Sequence, residues 1–115
     1  MKSYAKTILL KNNPGLIAEY MMYHDDIWPE VVKSFRAVGV VDIRIWIIGR
    51  QLFMVMDTKD NFDPNRDMER YLQLNPKNRE WEEKMKTYQE PITDYEHWAE
   101  LELIFKLSDH APDRY

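Results

Sequence analysis

The chain has 115 residues, 44% of them hydrophobic, no cysteine, and a formal charge of −4 with acidic and basic residues interspersed. Such a length and apolar content fit one domain around one core, expected over residues 1–108 with 109–115 as a tail. Lack of cysteine excludes disulfides, a thiolate nucleophile and a cysteine metal site, and without a basic stripe nucleic acid is not an expected partner. The apolar part of the opening MKSYAKTILLKNN is too short for a signal-peptide core or a bilayer span, so a cytoplasmic protein without a membrane partner is expected.

Residues 3–11, SYAKTILLK, are rich in β-branched and aromatic types and predict a first strand that ends at NNPG. Pro14 suits the first position of a helix, with Asn12 or Asn13 as its cap. In that helix Leu16, Ile17, Tyr20, Met21, His24 and Trp28 recur at three- and four-residue spacing, which puts Tyr20 and His24 one turn apart on the inward face. Pro29 disfavours a helical Trp28, so the helix should stop near Asp25 and restart at Pro29. The restart buries Val31, Val32 and Phe35 and closes at Gly39, suited to a left-handed cap.

VVDIRIWII (40–48) and QLFMVMDT (51–58) flank Gly49 and Arg50 and predict an antiparallel hairpin. On the first of these strands Val41, Ile43, Ile45 and Ile47 share one face, and Asp42, Arg44, Trp46 and Ile48 the other. Residues 61–75 and NPKNREWEEKMKTYQEP read as a second broken helix, restarted at Asn75 and Pro76, with Trp81, Met85 and Tyr88 as its inner stripe. WAELELIFKL then alternates apolar and charged residues as a half-exposed last strand, followed by an irregular tail. The order βαββαβ predicts an α+β, ferredoxin-like domain: a four-stranded antiparallel sheet with helices on one face. Trp46 and Ile48 would leave an apolar patch on the other face, so a homodimer joined through the sheets, a dimeric α/β barrel, is expected.

No two histidines have metal-ligand spacing, no nucleophile-elbow sequence surrounds a serine, and three glycines make no phosphate loop. What is left is His24 with Tyr20 on one face, Asp25 and Asp26 beside them, and Trp28 and Trp81 as aromatic neighbours. The plain reading is a core histidine among packed aromatics, with Glu82 and Glu83 as solvated helix charges and Asp42 with Arg44 as a surface ion pair. Against it stands the position of His24 in the last turn of a helix, where the carbonyl end should favour a protonated imidazole able to hand its proton to a ligand.

The run EYMMYHDDIWPEVVKSFRAVGVVDIRIW resembles the family of L-rhamnose and L-fucose mutarotases, which carry a tyrosine, a histidine four residues on, then Ile-Trp-Pro-Glu and a glycine before the second strand. The likeness continues through GRQLFMVMDTKDNF, NPKNREWEEKMKTYQ and ELELIF. It implies a dimeric ferredoxin-like isomerase that exchanges the α and β anomers of a free 6-deoxyhexose without a cofactor or metal. It places the catalytic, proton-donating histidine at His24 and a substrate-binding tyrosine at Tyr20. The strand tyrosine of the rhamnose branch falls on Ile43, and its pair of helix tryptophans becomes Trp81 and Glu82, a form closer to the L-fucose branch.

The expected function is therefore mutarotation, L-fucose favoured over L-rhamnose. His24 opens the ring, Trp81 and Trp28 offer an apolar surface to the sugar, and Glu82 takes the other proton or binds a hydroxyl. Two alternatives are a cofactor-independent oxygenase of the same fold and a non-catalytic sugar-binding module.

Overall fold

Strand β1 (Lys2–Leu10) runs through the middle of the sheet in a computed structural model that describes residues 1–92, 94–95 and 97–112. Its inward row, Ile8 and Leu10, is almost wholly buried with Leu52 and Met56 of β3 (Gln51–Thr58), which pairs antiparallel along its full length. Beyond β3 lies β2 (Val40–Ile48), the free edge. The hairpin joining them turns at Gly49, whose φ of +58° is the left-handed conformation glycine tolerates.

Register in β2 jumps from Val40↔Thr58 to Asp42↔Asp57, which makes Val41 the extra residue of a bulge. Val41 is consequently exposed and does not join the inward row of Ile43 and Ile45 as simple alternation predicts. Arg44, on the outward row, pairs with Asp57 at 3.1 Å and Asp42 at 3.6 Å within the chain.

Four helices cover the inward face. Asn13 caps α1 (Pro14–Asp25) by accepting from the amides of Gly15 and Leu16. Proline starts α2 (Pro29–Ala37), which ends at Gly39 with φ +105°. Asp63 caps α3 (Pro64–Leu74) and Asn75 caps α4 (Pro76–Tyr88), so each broken helix restarts on a proline. Trp81, Met85 and Tyr88 form the buried stripe of α4, as their spacing predicts.

The fourth position of the sheet departs from expectation. It is filled by two short pieces on the same edge of β1: β4 (Gln89–Glu90) beside Leu9 and Leu10, and β5 (Ala99–Glu100) beside Lys6 and Thr7. After Leu101, whose amide donates to the Ala5 carbonyl, the chain leaves the sheet and Leu103, Ile104, Phe105 and Leu107 stand exposed. The alternating pattern marks an apolar row, but one copy of the chain has no second layer to cover it. A single 3-10 turn, Leu107–Asp109, follows, and residues 113–115 of the expected tail lie outside the described residues. No helix among the described residues is long and apolar enough to cross a membrane.

The joint between α3 and α4 rests on Asn78, which is fully buried and donates from Nδ2 to the Tyr71 carbonyl at 2.7 Å. Replacing Asn78 with alanine leaves that carbonyl unpaired in the core and is expected to cost about 1–3 kcal/mol. Urea denaturation measures this, and an unchanged midpoint would mean the joint does not depend on the bond.

Candidate active site

The site begins with the interruption at Pro29. Trp28 takes an extended conformation (φ −63°, ψ 130°), α1 ends at Asp25, and His24 is left in its last turn. The imidazole Nδ1 lies 2.9 Å from the Tyr20 carbonyl oxygen, one turn back. A carbonyl can only accept, so Nδ1 carries the hydrogen and Nε2 of the neutral ring keeps its lone pair. The His24 ring lies against Tyr20 at 4.3 Å between centroids and meets Trp81 of α4 edge-on at 5.2 Å. Trp81 in turn packs against Trp28 at 5.3 Å and Tyr23 at 6.4 Å, and this fixes its orientation.

These rings open onto a cavity of about 440 Å³ bounded by α1, α2, α4 and the β2–β3 hairpin, a size within the roughly 300–1,000 Å³ of small-molecule sites. Five of the six residues singled out from the sequence line it: Tyr20, His24, Ile43, Trp81 and Glu82. Trp28 does not; it stands behind Trp81 as a support. The floor is Ile43, Ile45 and Met54 from the sheet, and Trp98 closes one side.

Burial sets the protonation of the site. His24 is half-buried, and desolvation lowers its pKa below the ordinary imidazole value despite the bond to Tyr20 and the charge of Asp25. The imidazolium expected at a helix carboxyl end is therefore overruled: the helix field is worth roughly 0.3–1 kcal/mol at exposed sites, and desolvation outweighs it here. Glu82, by default a solvated helix charge, instead faces the cavity. Its pKa is raised by burial, partly offset by Tyr71 and by Lys86 and Lys6. Tyr20 is buried too, and its phenol is pushed well above the ordinary value, with the Gln89 side chain opposing that and Glu82 adding to it.

Arg36, Asp42 and Gln89 also line the cavity and were not singled out as site residues. Gln89 stands just past the end of α4, in β4, seven residues after Glu82, a spacing that continues the inner stripe of the helix. Arg36 and Trp98 carried no such signal.

A domain of this topology, with a histidine among aromatic rings at the wall of a cavity of about 440 Å³, offers a proton-transfer group to a small-molecule ligand. Residues 3–107 match the family profile of L-rhamnose mutarotase. A UPF0734 protein of Dictyostelium discoideum is 35% identical over 112 residues, covering 92% of this chain and 90% of that one. An L-fucose mutarotase of Xanthomonas campestris pv. campestris is 31% identical over 105 residues, covering 87% and 83%. The crystal structure of an L-rhamnose mutarotase from Formosa agariphila superposes with a TM-score of 0.66 at 21% identity, covering 93% of this chain and 99% of that one. The chain belongs to the L-rhamnose mutarotase family, whose members are carbohydrate isomerases.

Nitrogen-15 NMR of the histidines tests the protonation scheme. His24 is expected to be the Nδ1–H tautomer at neutral pH and to take up a proton only below the ordinary imidazole range, since burial favours its neutral form. A midpoint at or above that range would place the helix field ahead of desolvation.

Proposed function

We propose that the protein interconverts the α and β anomers of a free 6-deoxyhexose, L-fucose in preference to L-rhamnose, by general acid–base ring opening and without a cofactor. The observation that carries this reading is His24 itself. Its Nδ1–H is held by the Tyr20 carbonyl, its Nε2 is left for a ligand, and it sits at the wall of a cavity of monosaccharide size. Anomer exchange requires one proton to leave the anomeric hydroxyl and another to reach the ring oxygen, and one well-placed group of this kind contributes typically about 10²–10⁴-fold.

In this reading His24 is the catalytic residue. Tyr20 orients it and lines the cavity, and Trp81 gives its face to the C–H side of the sugar with Trp28 bracing it. Ile43 and its neighbours Ile45 and Met54 receive the 6-methyl group, and Glu82 faces the polar side of the substrate. The preference for L-fucose is supported by Trp81–Glu82 and by Ile43, where the rhamnose branch has a tryptophan pair and a strand tyrosine. The likeness to an L-fucose mutarotase over most of both chains points the same way.

We further propose a homodimer through the outer face of the sheet. Trp46 is 52% exposed there and Ile48 70%, and the segment after β5 exposes Leu103, Ile104 and Phe105 nearby in sequence to the same sheet edge. An apolar surface of this kind is ordinarily covered in a soluble protein.

Saturation-transfer NMR on equilibrated sugars tests the chemistry. Wild-type protein is expected to accelerate anomer exchange of L-fucose more than that of L-rhamnose, and His24→Ala to lose about 10²-fold or more. Exchange of both sugars at the buffer rate with wild-type protein would end the reading. Light scattering tests the assembly: wild type is expected at twice the monomer mass and Trp46→Asp at the monomer mass, whereas a monomeric wild type rejects the dimer.

A further inference from the structure

Ring opening moves two protons, and Nε2 of His24 accounts for one. The partner group must line the same cavity and carry a transferable proton near neutral pH. Asp42 is exposed and paired with Arg44, Arg36 does not give up a proton, and Tyr20 is held far above its ordinary pKa by burial. Glu82 is the lining group that remains. It follows Trp81, whose ring touches His24, directly along α4. Tyr71 from α3, Tyr20 from α1, Lys6 from β1 and Lys86 from its own helix face its carboxyl group. Among the described residues it forms no salt bridge, its nearest hydroxyl is that of buried Tyr71, and burial outweighs the opposing pull of Tyr71 and the two lysines. A carboxyl in that setting is stabilised in its neutral, proton-bearing form.

We propose that Glu82 is the second catalytic residue of the mutarotase site, the proton donor to the ring oxygen, while Nε2 of His24 acts as the base on the anomeric hydroxyl. This assignment rests on the mutarotase reading above and, for the ring-opening step, reverses the proton-donating role expected for His24 both from its helix-end position and from the family resemblance. In the forward step Nε2 takes the proton from the O1 hydroxyl and the C1=O bond forms. The C1–O5 bond breaks, and O5 receives the carboxyl proton of Glu82. The open aldehyde, a Glu82 carboxylate and a His24 imidazolium result, with no net gain or loss of protons. Rotation about C1–C2 presents the other face of the carbonyl. Reclosure runs the transfers backwards: the carboxylate takes the O5 proton as O5 attacks C1, and the imidazolium returns a proton to O1. Each turnover restores the starting protonation without a co-reactant.

The test combines Glu82→Gln with the pH profile of anomer exchange on L-fucose and L-rhamnose. For wild type kcat/KM should be bell-shaped, falling on the acid side as His24 takes up a proton and on the alkaline side as Glu82 loses one. These limbs belong to the pair, and the variant assigns them. E82Q should lower kcat by about 10²-fold or more with KM changed less than threefold, and should abolish the alkaline limb while keeping the acid one. Glu83→Gln, on the exposed face of α4, should stay within twofold of wild type. Should E82Q fail to fold, carbon-13 NMR of the wild-type glutamate carboxyls decides: one of them must titrate above the ordinary glutamate range. A catalysing wild type whose E82Q variant keeps the alkaline limb, changes KM alone or matches wild type overturns the Glu82 assignment and leaves the mutarotase reading intact. A wild type that accelerates neither sugar takes both down.

Discussion

Pro29 is the constraint on which the rest of the site depends. Its ring denies Trp28 a helical conformation, so α1 must stop at Asp25 and α2 must leave in a new direction. With an unbroken helix through residues 14–37, His24 would lie in a helix interior with its neighbours fixed by helical spacing. The break lets the helix end and Trp28 converge on Trp81 from different angles, and a cavity opens between the two halves and the sheet. The second broken helix repeats the device at Pro76, which sets α4 against both α1 and α2.

One force, desolvation, then acts on three groups of opposite kinds. It disfavours charge wherever charge arises, so it lowers the basic His24 and raises the acidic Glu82 and Tyr20. A cavity lined largely by aromatic and aliphatic side chains thereby pushes a basic and an acidic group toward their neutral forms, in Glu82 against the opposing charges of Lys86 and Lys6. The specific contact from the Tyr20 carbonyl does a separate job: it decides which imidazole nitrogen carries the hydrogen and which keeps its lone pair.

Most of the fold was legible because its boundaries are chemical. Asn13, Asp63 and Asn75 cap helices, Pro14, Pro29, Pro64 and Pro76 begin them, and Gly39 and Gly49 take positive φ. The site was legible in part for the same reason, since Tyr20 and His24 are one turn apart on a helix whose ends are written in the sequence. Three features were not legible from the residue pattern itself, although the family resemblance singled out the second of them. The charge state of His24 depends on how deeply three other elements bury it, which spacing along α1 does not encode. Glu82 looks like its exposed neighbour Glu83, and only the rotation of α4 against α1 and α3 separates them. The last strand has the alternation of a strand, yet pairing needs an available edge and a covered face, and past Leu101 a single chain supplies neither.

That unpaired segment and the bulge at Val41 show how the two faces of one sheet are kept to different tasks. The inward rows of β1 and β3 are filled by the helices, while β2 at the free edge keeps Ile43 and Ile45 only half-buried, and these become the cavity floor. By inserting one residue, the bulge lets Val40 bury in the core and still sends Ile43 and Ile45 inward, with Arg44, Trp46 and Ile48 outward. Were Val41 in regular register, the one-residue slip would exchange those rows, bringing Arg44 and Trp46 toward the cavity and the isoleucines to the outer surface. The position of a single unpaired residue on an edge strand thus decides both which side chains form the base of the cavity and which ones the sheet leaves exposed on its outer face.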